Sequence, residues 1–291
     1  MRQSFQSTER GLEAGFPLSL YHKAKRLFWD PAELDFRQDQ AAFRALPEEA
    51  QGLILRLASL FLGGEEAVTL DLLPLVRTVA KEGRLEEEMY LTTFLLEEAK
   101  HVEFFARFLE EVAGQKGGLG HHAGPHYRRI FGELLPEALE RLEVDPSPRA
   151  QVEAAVTYNV VVEGILAETG YQGFFRLAER LQAMDLAMPG TLRGIAHVKA
   201  DESRHIAYGL YLIARHLGED PGLWSVLEGR LNLLLPEAFG VVGEVFAPYP
   251  QGAPLGLSPE EFLAYASTQF QHRFRVLERA RSLGPQALQG L

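Results

Sequence analysis

The sequence predicts an all-α fold in one large domain. Apolar residues recur at three- and four-residue steps over long stretches, which is the period of an amphipathic helix. The 291 residues contain no short alternating β-branched runs with Asn-Gly or Asp-Gly turns, which are typical of strands. No linker separates two regions of different composition. We therefore expect residues 1–291 to form a single domain, with an N-terminal arm over about residues 1–46.

Proline, glycine and capping residues delimit the helices. Their expected spans, in chain order, are about residues 47–81, 85–113, 127–142, 149–184, 191–217, 221–246 and 259–282. Pro74 is expected to kink the first helix and Gly83 to end it. Ser147 is expected to cap the fourth helix, and Ser258 with Glu261 to form a capping box on the last. Four helices of about 27 to 36 residues suit a long four-helix bundle with extra helices around it.

Composition and charge exclude several classes of protein. The chain has 29 Lys and Arg against 40 Asp and Glu, a net charge of −11, and no cysteine. Without a thiol, a disulfide scaffold, a cysteine nucleophile and an iron–sulfur cluster are excluded. An acidic chain is a poor partner for nucleic acid, because phosphate binding depends on Lys and Arg. The sequence has neither an apolar run long enough for a membrane span nor a signal peptide, so we expect a cytoplasmic protein.

Four acidic elements lie in helical stretches that are otherwise largely apolar. The first is Glu65 or Glu66 in FLGGEEAVTLDLL, and periodicity alone does not separate the two. The third is Glu163 in TYNVVVEGILAETGY, a carboxylate that is costly to bury without a partner. The second and fourth elements are Glu-x-x-His pairs, in which the spacing places both side chains on one helix face: Glu98 with His101, and Glu202 with His205.

Each element is weak alone, but their order along the chain is specific. A Glu from each of two helices and a Glu-x-x-His from each of two others can hold two metal ions inside a four-helix bundle. Four carboxylates would neutralise two divalent cations, and oxygen ligands with one imidazole per metal suit iron and manganese. We expect Asp201, directly before the second pair, to hold a ring N–H of a ligand imidazole. Glu168, five residues after Glu163, is expected to face outward.

Several other side chains have either a chemical or a packing role. Tyr171 and Tyr208 lie near the motif helices and are candidates for redox chemistry, hydrogen bonding or core packing. The pair Gly63–Gly64 costs helix stability, and leaves room for a ligand or for a close helix neighbour. The histidines in and just after the Gly-rich loop 114–125 form a loose surface metal site or are solvated. Trp29 is expected to pack the arm onto the bundle.

At these residues the chain resembles the ferritin-like di-metal carboxylate proteins, and among them the small subunits of ribonucleotide reductase. The resemblance spans about residues 20–246 and includes the segment KAKRLFWDPAELDF. Radical-storing reductase subunits carry a tyrosine four residues after the first motif histidine, where this chain has Phe105. They also carry a tyrosine in a mobile tail, whereas none follows Tyr265 here. These two differences argue against a reductase subunit, which is kept as an alternative interpretation. A ferritin-like protein of iron storage or peroxide defence is another.

The chain is more similar to the reductase-like ligand-binding oxidases. This resemblance implies one manganese and one iron, a long-chain fatty-acid-like ligand at the metals, O₂ activation and a homodimer. It also implies an ether crosslink between Val68 Cβ and the Tyr158 oxygen, with Glu65 rather than Glu66 as the ligand on the face of Val68. Five residues do not return to one face of an α-helix, so a π-bulge between Tyr158 and Glu163 is expected.

The resemblance also implies how six ligands divide between the two ions. The first ion, expected as manganese, takes Glu65, Glu98 and His101. The second, expected as iron, takes Glu163, Glu202 and His205, with Glu98 and Glu202 as bridges. An iron pair is the alternative, because iron and manganese accept the same ligand types.

Overall fold

The computed structural model describes residues 5–288, and every regular element in this part of the chain is helical. The predicted all-α class is confirmed. The ends of the predicted arm and domain, residues 1–4 and 289–291, lie outside the described residues. Within residues 5–288, none of the helices is long and apolar enough to cross a membrane.

The helices of residues 5–288 are numbered in chain order. The α-helices are α1 Gln6–Glu9, α2 Phe16–Arg26, α3 Arg37–Ala45, α4 Glu48–Asp71, α5 Leu73–Lys81, α6 Leu85–Arg107, α7 Pro125–Arg129, α8 Leu135–Glu140, α9 Pro148–Ala155, α10 Glu168–Gln182, α11 Pro189–Glu219, α12 Trp224–Phe246 and α13 Pro259–Leu283. The π-helical stretches are Phe108–Val112, Ile130–Leu134 and Val156–Ala167. Single 3₁₀ turns are Pro31–Glu33, Gly120–His122, Arg141–Glu143, Pro221–Leu223, Pro254–Gly256 and Gly284–Leu288.

Four long helices form the bundle that carries the acidic elements. They are α4, α6, α11 and the continuous helix that runs from α9 through the π-helical stretch into α10. Helix α4 packs on α6, and the π-helical stretch packs on α11. Helices α12 and α13 cover the π-helical stretch, while α2 covers α6. This is the predicted ferritin-like bundle with additional helices around it.

The predicted helix ends are partly confirmed. The chain breaks between α4 and α5 at Leu72, just before Pro74, so the predicted kink is a break between two helices. Ser147 caps α9, because its hydroxyl accepts a hydrogen bond from the backbone N–H of Ala150. The capping box at Ser258 is wrong. The Ser258 hydroxyl donates to the Glu260 carboxylate at 2.5 Å and does not cap α13.

The π-helical stretch Val156–Ala167 confirms the expected departure from regular α-helix. In a π-helix the backbone bonds join residues five apart, so residues at that spacing lie close to one another. Tyr158 and Glu163 are both buried as a result. The expected outward orientation of Glu168 is wrong. Glu168 is buried and pairs with Lys199 and with Arg273, because the wider turn rotates it inward.

The N-terminal arm is itself helical and packs on the bundle. It contains α2 and α3, joined through the 3₁₀ turn Pro31–Glu33. Trp29 is buried between them and α11, as predicted for a residue that packs the arm. Asp39 of α3 is fully buried, and its carboxylate accepts the backbone N–H groups of Gly190 at 3.0 Å and Thr191 at 2.6 Å. A side chain of the arm therefore caps the first turn of α11.

Replacing Asp39 by alanine is expected to destabilise the fold by about 1 to 3 kcal/mol, because two N–H groups at a buried helix start lose their acceptor. Chemical denaturation of the metal-free protein measures this change. Gln38→Ala is the matched control, since Gln38 lies exposed on the same helix. Equal midpoints for the two variants would contradict the capping role.

Candidate metal centre

Two groups of buried side chains meet at the centre of the bundle. In each group, ligand-type atoms of four residues all lie within 4.8 Å of one another. The first group is Glu65, Glu98, His101 and Glu202, and the second is Glu98, Glu163, Glu202 and His205. Glu98 and Glu202 belong to both groups. The six residues selected from sequence are therefore brought together, with the two expected bridging carboxylates in the shared positions.

The atoms that face the centre lack ordinary hydrogen-bond partners. These atoms are Nδ1 of His101, Nδ1 of His205, Glu98 Oε2, Glu163 Oε1 and Glu202 Oε2. His101 Nδ1 lies 3.4 Å from Glu65 Oε2, and His205 Nδ1 lies 3.1 Å from Glu98 Oε1. A buried polar atom without a partner costs about 1 to 3 kcal/mol. Carboxylate oxygens and imidazole nitrogens that converge in this way fit two divalent cations, which would satisfy the free atoms and balance four negative charges.

The pKa values of these groups reflect carboxylates and imidazoles that are buried close to one another. Burial raises the pKa of Glu65 well above its usual value, and raises that of Glu163 to about 8 with the help of the nearby Glu202 carboxylate. Burial alone would lower the pKa of His101 and of His205, but the facing carboxylates outweigh it and raise both. Metal ligands bind in their deprotonated forms, so cations that bind here would displace protons from these groups.

Each motif histidine contacts the acidic residue that directly precedes the other Glu-x-x-His motif. His101 Nε2 lies 3.3 Å from Asp201 Oδ2, and His205 Nε2 lies 2.9 Å from Glu97 Oε2. Both contacts cross between α6 and α11. A partner on Nε2 leaves Nδ1 as the metal-facing nitrogen and fixes the ring. Asp201 was expected to hold an imidazole, and the structure specifies His101 as that imidazole.

A buried polar network supports Asp201. The indole Nε1 of Trp29 donates to Asp201 Oδ2 at 2.7 Å, and Lys100 Nζ lies 3.2 Å from the same oxygen. Arg204 bridges the other oxygen of Asp201 to Glu97. The arm, α6 and α11 thereby orient both histidines through one network of charged groups. Such networks are costly to bury and stabilise only when their members are paired.

Sequence reasoning missed two residues of the site. Glu97 was overlooked, although it directly precedes Glu98 just as Asp201 precedes Glu202. This repeated acid-Glu-x-x-His pattern is the signal that identifies it. Asn159 was also missed, and its Nδ2 donates to Glu163 Oε2 at 2.8 Å. No sequence signal marks Asn159, because its contact depends on the π-helical stretch.

The structure separates Glu65 from Glu66 and places both residues of the expected crosslink in the core. Glu66 is exposed, whereas Glu65 belongs to the first group. Val68 and Tyr158 are buried in the same apolar cluster. The Tyr158 hydroxyl donates to Glu98 Oε1 at 2.9 Å. Burial raises the pKa of Tyr158 well above its usual value, so the phenol is protonated at neutral pH.

A cavity adjoins the centre between α4, α10 and α12. It contains about 920 Å³ not filled by protein atoms, its open mouth included. Its walls are apolar apart from Thr169, the Tyr127 hydroxyl and three carboxylates of the centre, Glu65, Glu163 and Glu202. Gly64 lines this cavity and also contacts the Phe131 ring, where a Cβ atom would lie at 3.3 Å. Gly64 therefore allows a close helix neighbour and also leaves room in the cavity, whereas Gly63 lies against the Tyr127 hydroxyl.

The other candidate residues lie outside the two groups. Among residues 5–288, His121, His122 and His126 are in neither group that could hold a metal. His126 Nδ1 instead pairs with Glu237 at 2.7 Å. Phe105 is buried among aromatic rings, at the position where radical-storing reductase subunits carry a tyrosine.

Comparisons with known proteins agree with this geometry. The family model "Ribonucleotide reductase, small chain" matches residues 16–265. A solved R2-like ligand-binding oxidase with aerobically reconstituted Mn/Fe cofactor is 37% identical, with a TM-score of 0.88, over 94% of this chain and 97% of that chain. A tyrosine-to-phenylalanine variant of an R2-like ligand-binding oxidase, with anaerobically reconstituted Mn/Fe cofactor, is 37% identical, with a TM-score of 0.89, over 94% and 98% of the two chains. The chain therefore belongs to the ribonucleotide reductase small-chain family, and within it to the R2-like ligand-binding oxidases.

Proposed function

We propose that this protein is an O₂-activating oxidase with one manganese and one iron ion. Glu65, Glu98 and His101 would hold the first ion, and Glu163, Glu202 and His205 would hold the second, with Glu98 and Glu202 shared between the two groups. The observation that carries this proposal is the pair of buried ligand groups that share two carboxylates. The Mn/Fe cofactor of similar solved oxidases supports the identity of the metals.

X-ray anomalous scattering at the manganese and iron edges tests the metal assignment directly. Crystals of protein loaded with both metals should show one element in the group with His101 and the other in the group with His205. Iron at both positions would support the iron-pair alternative. A protein that binds neither metal in stoichiometric amount would refute the proposed function.

The residues of the centre hold the reacting phenol and exclude water. When bound, the metal pair supplies the redox chemistry that reduces O₂ and oxidises a C–H bond. Tyr158 is fully buried, and its hydrogen bond to Glu98 holds the phenol oxygen at the centre and offers an acceptor for its proton. Val68 lines the adjoining cavity and is also buried. Because both side chains are shielded from water, these positions favour a reaction between Val68 and Tyr158 over a reaction with solvent.

The internal reaction we propose is an ether bond between Val68 Cβ and the Tyr158 oxygen. The Cβ–H bond of Val68 and the O–H bond of Tyr158 break, and one C–O bond forms. Two protons and two electrons leave the pair of residues, and O₂ is the oxidant that accepts them. The Cβ of valine carries a tertiary C–H bond, which is weaker than the primary bonds of its methyl groups and is therefore the favoured site of attack.

The apolar lining of the cavity supports our proposal that the protein binds a long-chain fatty-acid-like ligand. A carboxylate head would be repelled by Glu65, Glu163 and Glu202 alone, but would bind two cations held among them. The rest of the lining has almost no polar side chains, which suits an acyl chain. Each buried CH₂ group contributes about 0.8 kcal/mol, so the length of cavity that is filled determines the affinity.

Replacing Ala167 by phenylalanine is expected to expel this ligand and leave the metals in place. Ala167 lines the cavity but belongs to neither ligand group, so the added ring occupies the space of several CH₂ groups. Extraction of the purified protein followed by mass spectrometry of the released acids measures the ligand. Ala183→Phe is the control, because Ala183 is exposed just after α10. Equal fatty-acid content in both variants would contradict the assignment of the cavity.

We also propose a homodimer on the basis of family resemblance. Three large apolar side chains of helices α4 to α6 are between 48% and 68% exposed: Leu70, Leu73 and Leu96. This exposure supports a contact between these helices and a second chain. Light scattering gives the mass in solution, and a single-chain mass would refute the dimer. The cytoplasmic location stays a prediction.

A further inference from the structure

A line of aromatic rings leads from the candidate metal centre to the protein surface. His205 stacks on Phe94 with ring centroids 3.6 Å apart, and Phe94 lies 6.0 Å from Tyr90. Tyr90 lies 5.2 Å from Tyr208, which lies 6.3 Å from Tyr211. Tyr90 and Tyr208 are fully buried, whereas Tyr211 is partly exposed. We name Phe94, Tyr90, Tyr208 and Tyr211 the tyrosine line.

Helical spacing explains why these rings are aligned. On α11, Tyr208 and Tyr211 follow His205 at three-residue steps, so each side chain is a neighbour of the next on the helix surface. On α6, Tyr90 precedes Phe94 by four residues, which is again one face. The two helices contact each other in the bundle, and this contact brings the Tyr90 ring of α6 against the Tyr208 ring of α11. The line therefore follows from two local periodicities and one helix contact.

The hydroxyl groups along the line have different surroundings. The Tyr208 hydroxyl donates to Glu87 Oε2 at 3.0 Å. Arg84 and Arg215 each place a guanidinium nitrogen 3.7 Å from a Glu87 oxygen. Burial nevertheless outweighs these two cations and raises the pKa of Glu87 above its usual value, which makes it a better proton acceptor. The Tyr90 hydroxyl is buried with no hydrogen-bond partner. A neutral phenol that loses an electron at neutral pH must also release its proton, and only Tyr208 of these two has an acceptor for it.

Packing alone does not explain why position 208 carries a tyrosine. Phenylalanine at position 208 would fill nearly the same volume without a hydroxyl to satisfy. The structure instead buries a phenol, a carboxylate and Arg215 together, and desolvation of such charged groups is costly. The hydroxyl of Tyr208 is thus a feature that shape does not explain.

We propose that the tyrosine line carries electrons, one at a time, from a one-electron reductant in solution to the metal centre. Tyr208 is the residue that is transiently oxidised. It passes one electron inward through Tyr90 and Phe94, and its proton moves to Glu87. The external reductant then returns one electron through Tyr211, and Glu87 returns the proton. The net change is one electron from the reductant to the centre, so the inference rests on the proposed function.

Rapid-freeze electron paramagnetic resonance tests the assignment to Tyr208. Protein loaded anaerobically with Mn²⁺ and Fe²⁺ is mixed with O₂ and frozen, using ring-deuterated tyrosine to identify a phenoxyl signal. We expect the transient signal in the wild type and its loss in Tyr208→Phe. Tyr171→Phe is the control, because Tyr171 is fully buried like Tyr208 but lies outside the line and has no hydrogen-bond partner for its hydroxyl. A signal unchanged in Tyr208→Phe would overturn the assignment.

Competition by ascorbate tests the delivery of electrons. Ascorbate present during the O₂ reaction should lower the fraction of crosslinked protein seen by intact mass, because delivered electrons consume the oxidant before Val68 reacts. In Tyr208→Phe and Tyr211→Phe, half of this decrease in crosslinking should need about tenfold more ascorbate than in the wild type. This factor corresponds to about 1.4 kcal/mol on the barrier to electron delivery. Tyr171→Phe should behave as the wild type.

The two measurements separate failure of the relay from failure of the proposed function. Without ascorbate, every variant should still bind both metals and form the crosslink, which shows that the fold and the centre are intact. Normal crosslinking combined with equal ascorbate sensitivity in Tyr208→Phe and Tyr171→Phe would overturn the relay alone. A wild-type protein that binds no metals would overturn both proposals.

Discussion

Glu98→Ala is expected to abolish the binding of both metal ions. Glu98 belongs to both ligand groups, so its loss removes one oxygen from each. It also removes one of the four negative charges that balance two divalent cations. Metal analysis by plasma mass spectrometry after anaerobic loading and desalting should find neither ion in stoichiometric amount.

Thermal unfolding with and without metals gives an independent measure. Ligands that bind only the folded state at a free concentration one thousandfold above Kd stabilise it by about 4 kcal/mol. For a domain of this size, that energy corresponds to a rise in Tm on the order of 10 °C. Loading should raise Tm of the wild type by about this amount and leave that of Glu98→Ala unchanged. Comparing each variant with its own metal-free form removes any direct effect of the substitution on the fold.

Two further variants make the result specific to the shared position. Glu65 belongs only to the first group, so Glu65→Ala should retain one ion, in the group with His205. Glu103 is exposed on the same helix as Glu98, so Glu103→Ala should bind both. Two ions per chain in Glu98→Ala would show that the carboxylates do not bridge.

Tyr158→Phe is expected to abolish the crosslink and leave metal binding in place. Wild-type protein exposed to O₂ after loading should be lighter than its anaerobic form by the mass of two hydrogen atoms. The variant should show no loss, because it has no phenol oxygen to form the ether. Proteolysis and tandem mass spectrometry should identify one peptide that joins Val68 to Tyr158 in the wild type alone.

Val68→Ala and Tyr171→Phe are the companion variants. Alanine offers only primary C–H bonds at Cβ, which are stronger, so Val68→Ala should crosslink more slowly or not at all. Tyr171→Phe removes a buried phenol elsewhere and should crosslink normally. A mass loss retained in Tyr158→Phe would refute this residue pair. A crosslink that closes a loop of about 90 residues should also stabilise the demetallated protein by up to about 4.6 kcal/mol, by the chain-entropy argument used for disulfides.

The sequence predicted the four acidic elements of the candidate metal centre because their signals are local. A Glu-x-x-His spacing places both side chains on one face of any α-helix, wherever that helix packs. The pairs at Glu98 and Glu202, with single glutamates at 163 and at 65 or 66, therefore predicted the groups that the structure brings together, and the family resemblance selected Glu65. A disturbance of the helix near Pro74 was predictable for the same reason, since proline lacks the N–H group that would continue the helix, but the prediction was a kink and the structure has a break at Leu72.

Other features of the centre depended on contacts between helices. Glu97 holds His205, and Asp201 holds His101, only because α6 and α11 lie side by side. The outward position predicted for Glu168 assumed regular α-helical turns, which the π-helical stretch replaces. Periodicity records the direction of a side chain on its own helix and contains no information about the neighbouring helix.

The sequence by itself thus determined the helical class, the ligand types and the order of the four acidic elements along the chain. The tertiary structure decided which atoms face the centre, which acid orients each histidine, where the apolar cavity adjoins the carboxylates, and how the tyrosine line reaches the surface. The physical reason is the range of the forces. Backbone hydrogen bonds and side-chain spacing act within a turn or two of helix, whereas burial, pKa shifts and unpaired polar atoms arise only when distant segments exclude water together.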